Sequence, residues 1–390
     1  MKNKIFVFII LFLFPISINA FEINSKSAIL YDLDSDKVLY EKNSNEITSI
    51  ASLTKIMTSI VSIENISSLS DTVVITNDMI KGLIEQDAMV CGYKLGDTVT
   101  YEELLYSSLL PSCADATNAL AISLTGSISN FVSLMNEKAL ALGLSNTHFV
   151  NTSGLDIQNH YSTAYEVSVI LKYALKNDTF KKIYTTKYYR TESGKILMSN
   201  LEKNLIRYNL KMDYVLGSKT GYTDDAGLCL SSIASYNGIN YLLITIGADP
   251  TLDLPYNIID SNTIYNYYFE NYTNREIVNK EISLNNKYSK DKIIINLPSH
   301  LEKLTLDEYS RLEYLYDIED EVSIFTRKEK LGEYKVLLDG ETLYSATIYK
   351  PSNIPFSLIV FLYKNIYIEL IIIMLVILFW RLIWKLRKLK

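Results

Sequence analysis

The sequence predicts an α+β sandwich, an antiparallel sheet covered by helices, followed by a small all-β domain and one membrane-spanning helix. Three observations predict it. Strand-like patterns stand at both ends of the segment 24–272 and flank a helical middle. Strand-like runs return between 274 and 350, and a long apolar stretch closes the chain. Segment ends that pair in one sheet, with helices packed on it, make a layered α/β or α+β domain.

The elements follow in order. "SAILYDLDSDKVLYEK" (27–42) reads as two short strands around a turn at Asp34-Ser35-Asp36. From Ser52 the pattern becomes helical, with Leu53, Ile56, Met57, Ile60 and Ile63 at three- and four-residue steps. Helical spacing recurs over 102–110, 114–124 and 131–142. Strand patterns resume near Lys219, and "LCLSSIASYNGINYLLITIG" (228–247) gives two strands joined by Asn237-Gly238, a strong hairpin signal. A helix-like stretch, 257–272, closes the segment. In the β domain, 292–297, 321–327, 333–338 and 342–349 are strand-like, with a hairpin at Asp339-Gly340.

The chain ends differ in design. Lys2 and Lys4 precede an apolar run and a small residue at Ala20, so 1–20 reads as a secretory signal peptide. Near the other end, 366–384 carries only Glu369 and Arg381 as charges, and the tail 385–390 adds four cations. About 20 apolar residues span a bilayer, and a basic flank is kept cytoplasmic. An amphipathic helix lying in the membrane surface is the rival reading, but the run from Leu370 to Trp380 leaves no polar face. The expectation is a cell-membrane protein with one C-terminal span and its bulk on the outer side.

Composition bounds the function. The chain has 390 residues, 48% hydrophobic and 21% charged, which is ordinary for a globular protein. Without signal, span and tail, 31 basic residues face 43 acidic ones, a net charge of −12. That excludes a nucleic-acid partner, which requires basic stripes. Cys91, Cys113 and Cys229 form no disulfide framework and read as buried small residues.

Chemistry begins at Ser52-Leu53-Thr54-Lys55. Residues three apart share one helical face, so the lysine amine can approach the serine hydroxyl. Free N–H groups at a helix start favour a developing anion, and a buried lysine loses its proton near neutral pH. Ser-x-x-Lys alone is weak evidence: it recurs at Ser289-Lys290-Asp291-Lys292 without other signals. Two further pieces follow the first instance. Ser112 stands in a loop between helices, and Lys219-Thr220-Gly221 opens a strand. Three partial motifs in that chain order point to an acyl-serine enzyme.

With those motifs in place, the chain resembles the low-molecular-weight penicillin-binding proteins, the serine D-alanyl-D-alanine carboxypeptidases of the peptidase S11 family. "SLTKIMT", "LLPSCADATNALA", "FVSLMNEKALALGLSNTHFVNTSGLD", "HYSTAYEVS" and "GSKTGYTDDAG" carry the resemblance over about 45–250. It departs from the family once: the middle motif is usually Ser-x-Asn, and here it is Ser112-Cys113-Ala114.

The resemblance implies a serine β-lactamase/penicillin-binding-protein-like fold and a peptidoglycan stem peptide ending in D-Ala-D-Ala as substrate. Ser52 would attack, Lys55 would be the general base, and Ser112 would relay protons to the leaving amine. Lys219 and Thr220 would hold the terminal carboxylate beside Gly221. Backbone N–H groups of Ser52 and Tyr222 would form the oxyanion hole, such donors being worth about 3–4 kcal/mol each. β-Lactams would trap the same serine, and no cofactor or metal is expected.

Three rivals stand beside this reading. His148, Asp156 and His160 are the residues a zinc enzyme would use, without the helical spacing such sites show. A β-lactamase would need a positioned deacylating carboxylate. A catalytically weak wall-binding protein is the alternative that Ala114 raises.

Overall fold

A computed structural model describes residues 21–279 and 281–388; the expected signal peptide and the last two residues of the tail, Leu389 and Lys390, lie outside the described residues. The chain divides after Asn266 into two compact units.

The first unit is built on one antiparallel sheet. Strands β1 (Ser27–Asp32) and β2 (Lys37–Lys42) form the expected N-terminal hairpin. The helical middle comprises α1 (Thr54–Asn65), α2 (Tyr101–Leu109), α3 (Ala114–Thr125), α4 (Ile128–Ala141), α5 (Ala164–Ala174), α6 (Asp178–Tyr184) and α7 (Asn200–Tyr208). Strands β3 (Val215–Thr223), β4 (Gly227–Tyr236) and β5 (Ile239–Ala248) follow, and α8 (Tyr256–Asn271) runs across the division between the units. The strand order is β2-β1-β5-β4-β3. The two ends of the segment therefore meet, with Ser27 opposite Ile246 and Asp32 opposite Tyr241.

The β4–β5 hairpin turns at Asn237 and Gly238, both at positive φ (50° and 79°), the backbone that a two-residue turn between twisted strands requires. Adjacent serines of β4 show that the sheet is covered on both faces. Ser231 Oγ lies 2.9 Å from Tyr184 Oη of α6, and Ser232 Oγ lies 2.9 Å from Tyr265 Oη of α8. Successive strand residues point to opposite sides, so each helix roofs its own face.

Helix α1 departs from the amphipathic pattern. Its apolar residues are buried as expected, but Thr54, Lys55, Thr58, Ser59 and Ser62 are buried too. A helix enclosed on all sides is the hub of its unit, and its polar groups find internal partners. Thr58 donates to the Thr152 carbonyl at 2.8 Å, and Ser59 and Ser108 hydroxyls meet at 3.3 Å.

One cysteine expectation is corrected. Cys91 and Cys113 are joined by a disulfide, their Cα atoms 5.3 Å apart, while Cys229 is free and buried. The intervening chain folds back because the buried Asp115 carboxylate accepts backbone N–H groups of Cys91, Gly92 and Tyr93 at 2.9–3.2 Å.

The second unit is rich in strands. Leu312–Ile318, Lys330–Leu338 and Glu341–Tyr349 form one antiparallel sheet, turning at Asp339-Gly340. Glu281–Asn286 pairs with Ile293–Asn296, and Thr273–Glu276 with Leu301–Leu304. Tyr334, Val336, Ile282 and Ile293 are among its buried core. The stretch 321–327 is mostly irregular, contributing only a two-residue strand at Glu321–Val322. Among the described residues, one helix by itself is long and apolar enough to cross a membrane, Ile366–Leu386.

Candidate active site

The three motifs meet in one cleft of about 790 Å³, lined by Ser52, Lys55, Ser112, Thr220, Gly221 and Tyr222 among others. Ser52 sits in a 3₁₀ turn, Ala51–Leu53, that leads directly into α1. Ala51, just before it, is fully buried at φ 45°. Such a left-handed residue other than glycine stores strain that the surroundings must hold. Gly154 (φ 84°) does so by close approach: a side chain there would place its Cβ 1.9 Å from the Ala51 carbonyl oxygen.

Lys55 is 2% exposed and its Nζ donates to Ser52 Oγ at 2.9 Å and to the Ser153 carbonyl at 2.6 Å. Burial drives its pKa down to about 7, against an opposing pull from Asp115. The amine beside the serine is thus poised to change protonation state in the neutral range.

Ser112 also holds a positive φ, 71°, and is buried. Lys219 Nζ donates to Ser112 Oγ at 2.8 Å and to the Thr220 carbonyl at 2.7 Å. Lys219 is 1% exposed, and burial, with Lys55 nearby, holds its pKa well below the ordinary lysine value. Strand alternation predicts Thr220 on the face opposite Gly221, yet both line the cleft, while Lys219 is directed into the second motif. Gly221 is what lets β3 lie against the Ser52 turn. A Cβ there would stand 3.1 Å from both the Ser52 amide nitrogen and Ala51 Cβ. Tyr222 follows as an exposed residue whose hydroxyl donates to Asp224 at 2.8 Å.

Ala114 offers no amide, and Asn118, whose Oδ1 accepts from Thr152 Oγ1 at 2.9 Å, is not among the residues that line the cleft. The histidines of the zinc rival serve the framework. His160 is buried, with Nδ1 accepting the Val150 N–H at 3.1 Å and Nε2 2.8 Å from Thr54 Oγ1. Burial lowers its pKa to about 4, so it is neutral, and both ring nitrogens are engaged. His148 Nδ1 lies 2.6 Å from the Asn159 carbonyl.

Sequence reasoning missed several participants. Asp156 accepts Ser49 Oγ at 2.9 Å, Thr223 Oγ1 at 2.7 Å and the Asp225 N–H at 3.1 Å, tying the approach to Ser52 to the end of β3. The Ser153 carbonyl that orients Lys55 belongs to a stretch without periodicity. The disulfide fastens Cys113, beside Ser112, to Cys91, which directly follows the segment 87–90 that walls the cleft.

Comparison with known proteins agrees with this geometry. The family model for peptidase S11, D-alanyl-D-alanine carboxypeptidase, matches residues 15–250, more than half the chain. The D-alanyl-D-alanine carboxypeptidase DacF of Bacillus subtilis (strain 168) is 35% identical over 230 residues, covering 57% of this chain and 57% of that protein. The D-alanyl-D-alanine carboxypeptidase of Streptomyces sp. (strain K15) is 31% identical over 242 residues, covering 59% of this chain and 82% of that one. The match thus spans little more than half the length of the Bacillus relative. Among solved structures, penicillin binding protein 5 from Haemophilus influenzae has a TM-score of 0.61 at 25% identity, covering 85% of this chain and 97% of that one. The Streptomyces K15 DD-transpeptidase has a TM-score of 0.57 at 29% identity, covering 64% of this chain and 98% of that one. The fold is therefore that of the penicillin-binding DD-peptidases, and the chain belongs to the peptidase S11 family of D-alanyl-D-alanine carboxypeptidases.

Proposed function

We propose that this protein is a serine carboxypeptidase that removes the terminal D-Ala from peptidoglycan stem peptides through an acyl-Ser52 intermediate. The observation that carries the reading is the Ser52–Lys55 pair, 2.9 Å apart, with the lysine buried and its pKa near 7. As a neutral amine, Lys55 donates to the Ser153 carbonyl and turns its lone pair to the Ser52 hydroxyl.

Ser52 Oγ attacks the carbonyl carbon of the penultimate D-Ala while its proton passes to Lys55. The Ser52 and Tyr222 N–H groups stabilise the oxyanion. The C–N bond then breaks, and the leaving amine takes up the proton that Lys55 received, passed on through Ser112, which Lys219 holds in place. The released D-Ala departs, and water hydrolyses the Ser52 ester to regenerate the hydroxyl. Thr220 offers its hydroxyl to the substrate end beside Gly221. A β-lactam acylates the same serine, but its leaving amine stays tethered and the ester persists.

The domain reading belongs to the same proposal. Residues 24–272 act as the catalytic domain, 274–350 as a β domain, and 366–384 as a transmembrane anchor. The basic tail 385–390 lies on the cytoplasmic side and the catalytic domain on the cell-wall side. The lipid-length apolar helix and the cations behind it support this orientation.

The test uses the full chain in detergent, wild type and Ser52→Ala. D-Ala release from a diacetyl-Lys-D-Ala-D-Ala peptide is followed beside labelling by a fluorescent penicillin. Both signals are expected from the wild type and neither from the variant. Labelling without release would overturn the carboxypeptidase in favour of a penicillin-binding protein lacking turnover.

A further inference from the structure

The second unit leads into the membrane-length helix through a short one, Leu358–Lys364, with only Asn365 between them. The short helix is apolar on its outer side as well as on its packed side. Phe361 packs against Tyr288, ring centroids 4.9 Å apart, while Ile359 and Tyr363 are each 81% exposed and Leu358 is 61% exposed. A helix on a globular surface carries polar residues where these stand.

A turn at 323–327 shares the pattern. Ile324 and Phe325 are exposed at its tip, and the turn is built to keep them there. Thr326 donates its N–H to the Ser323 carbonyl at 3.1 Å, and Phe325 donates its own to Ser323 Oγ at 3.2 Å. Lys350 Nζ donates to the carbonyls of Ile324 and Thr326 at 3.0 and 2.8 Å.

Turn and helix form one surface. The rings of Phe325, Phe356 and Phe361 lie 5.7–6.0 Å from one another, and all three surround Tyr288. The backbone is tied as well: Ser357 donates its N–H to the Tyr288 carbonyl at 2.8 Å, and Asn286 Nδ2 donates to the Pro355 carbonyl at 2.6 Å. The short helix therefore belongs to the β unit and is no loose extension of the span.

Single exposed apolar side chains are ordinary, but a contiguous rigid group of them marks a surface that meets an apolar partner. Three observations name that partner as lipid. The patch continues, across Asn365, into a helix whose residues from Leu370 to Trp380 are all apolar. Tyr363 and Tyr367 flank the junction, the amphipathic rings that settle at a membrane boundary. Cations stand around the patch: Lys287 with Nζ 5.7 Å from the Tyr288 ring, Arg327 beside the turn, and Lys364 at the helix end. Apolar tips rimmed by cations suit a phospholipid surface.

We propose that the turn 323–327 and the helix Leu358–Lys364 form a second membrane contact, by which the β unit itself settles into the headgroup–acyl boundary of a phospholipid bilayer. The proposal rests on the membrane-anchor reading above and goes beyond it. The span tethers the chain, whereas the patch fixes how the β unit is oriented on the bilayer. Ile324, Phe325 and Ile359 enter by about 5–10 Å, the depth of interfacial helices.

The test uses the full chain in vesicles of phosphatidylcholine and phosphatidylglycerol, with one nitroxide label at Ile324→Cys, Leu375→Cys or Glu341→Cys. The native cysteines do not compete for label, two being bridged and Cys229 buried. Glu341 opens the strand that ends at Tyr349, beside Lys350, and so lies about 25–30 Å from the patch. Collisions with oxygen, which enters lipid, against a water-soluble nickel complex give each label's depth. Leu375 should read as deep in lipid, Ile324 as about 5–10 Å below the headgroups, and Glu341 as water. Adding Phe325→Asp should lift the Ile324 label into water and leave Leu375 in place. An Ile324 label that reads like Glu341 while Leu375 is in lipid would overturn the patch and keep the span. A label at Ile324 shielded from both agents would overturn it too, because protein, such as a second copy, then covers the turn. Leu375 reading as water would sink the anchor reading, and the patch with it.

Discussion

Lys219 Nζ stands 2.8 Å from Ser112 Oγ, so the lysine of the third motif serves the serine of the second. That contact holds Ser112 in the position the proposed proton relay requires. Ser112→Ala should slow acylation by an amide substrate about 10²–10⁴-fold, the range of general acid–base catalysis. An ester analogue, whose leaving alkoxide needs less help from a proton, should lose less. Equal losses on peptide and ester would deny Ser112 the relay role.

The proposed base, Lys55, must be neutral to accept a proton. With its pKa near 7, the neutral form dominates above that pH and falls about tenfold per unit below it. The rate of penicillin acylation should therefore rise with pH through about 7 and level off above. Stopped-flow acylation between pH 5 and 9 measures it, and a flat profile would contradict the assignment.

Asp156 spans the mouth of the site from Ser49 to Thr223. Losing three accepted hydrogen bonds at an exposed carboxylate costs about 1 kcal/mol each at most, so Asp156→Ala should fold. Its acylation rate should fall about tenfold as β3 drifts from the Ser52 turn, which is one kcal/mol-scale step in barrier terms. Asp156→Asn, keeping an acceptor oxygen, should recover part of the rate. Unchanged acylation in the alanine variant would leave Asp156 without a positioning role.

The Cys91–Cys113 bridge holds the Ser112 loop against the segment 87–91. Reduction, or Cys91→Ala/Cys113→Ala, should lower stability by about 2–4 kcal/mol. Slower acylation should accompany it, because a strained serine at φ 71° loses one of its restraints. The three amides caught by Asp115 still tie the segment down, so activity should fall without vanishing. A melting curve with and without a dithiol, paired with penicillin labelling, reads both effects.

Much of this was legible in the sequence, for a physical reason. Ser52 and Lys55 are local, and their helical spacing alone brings them together. Asn237-Gly238 announces its hairpin because few other residues accept positive φ in succession. Lys219 was legible as a motif member but not in its orientation, since strand alternation says nothing of a side chain that bends back to Ser112. Asp156, the Ser153 carbonyl and the Cys91–Cys113 pairing join segments distant in sequence, and no local pattern encodes such meetings. Helix α7 gave no signal of a site in the sequence, because a solvated face and a cleft wall carry the same residue types. The polar residues buried in α1 were hidden for the opposite reason: periodicity marks the apolar stripe and is blind to a helix roofed on every side.

The pairing of Ser27 with Ile246 has a consequence in time. Strand β1 is among the first segments to be synthesised, yet one of its two neighbours, β5, is the last strand of the sheet. Contacts this far apart in sequence form slowly, because a long loop must close before any pairing rewards it. The Ser52 turn waits as well, since β3, which presses Gly221 against it, also arrives late. A nascent chain holding Ser52 and Lys55 thus lacks the assembled cleft until β3 and β5 have emerged. The cleft is therefore complete only once the last strands of the sheet have paired, after most of this unit has been synthesised.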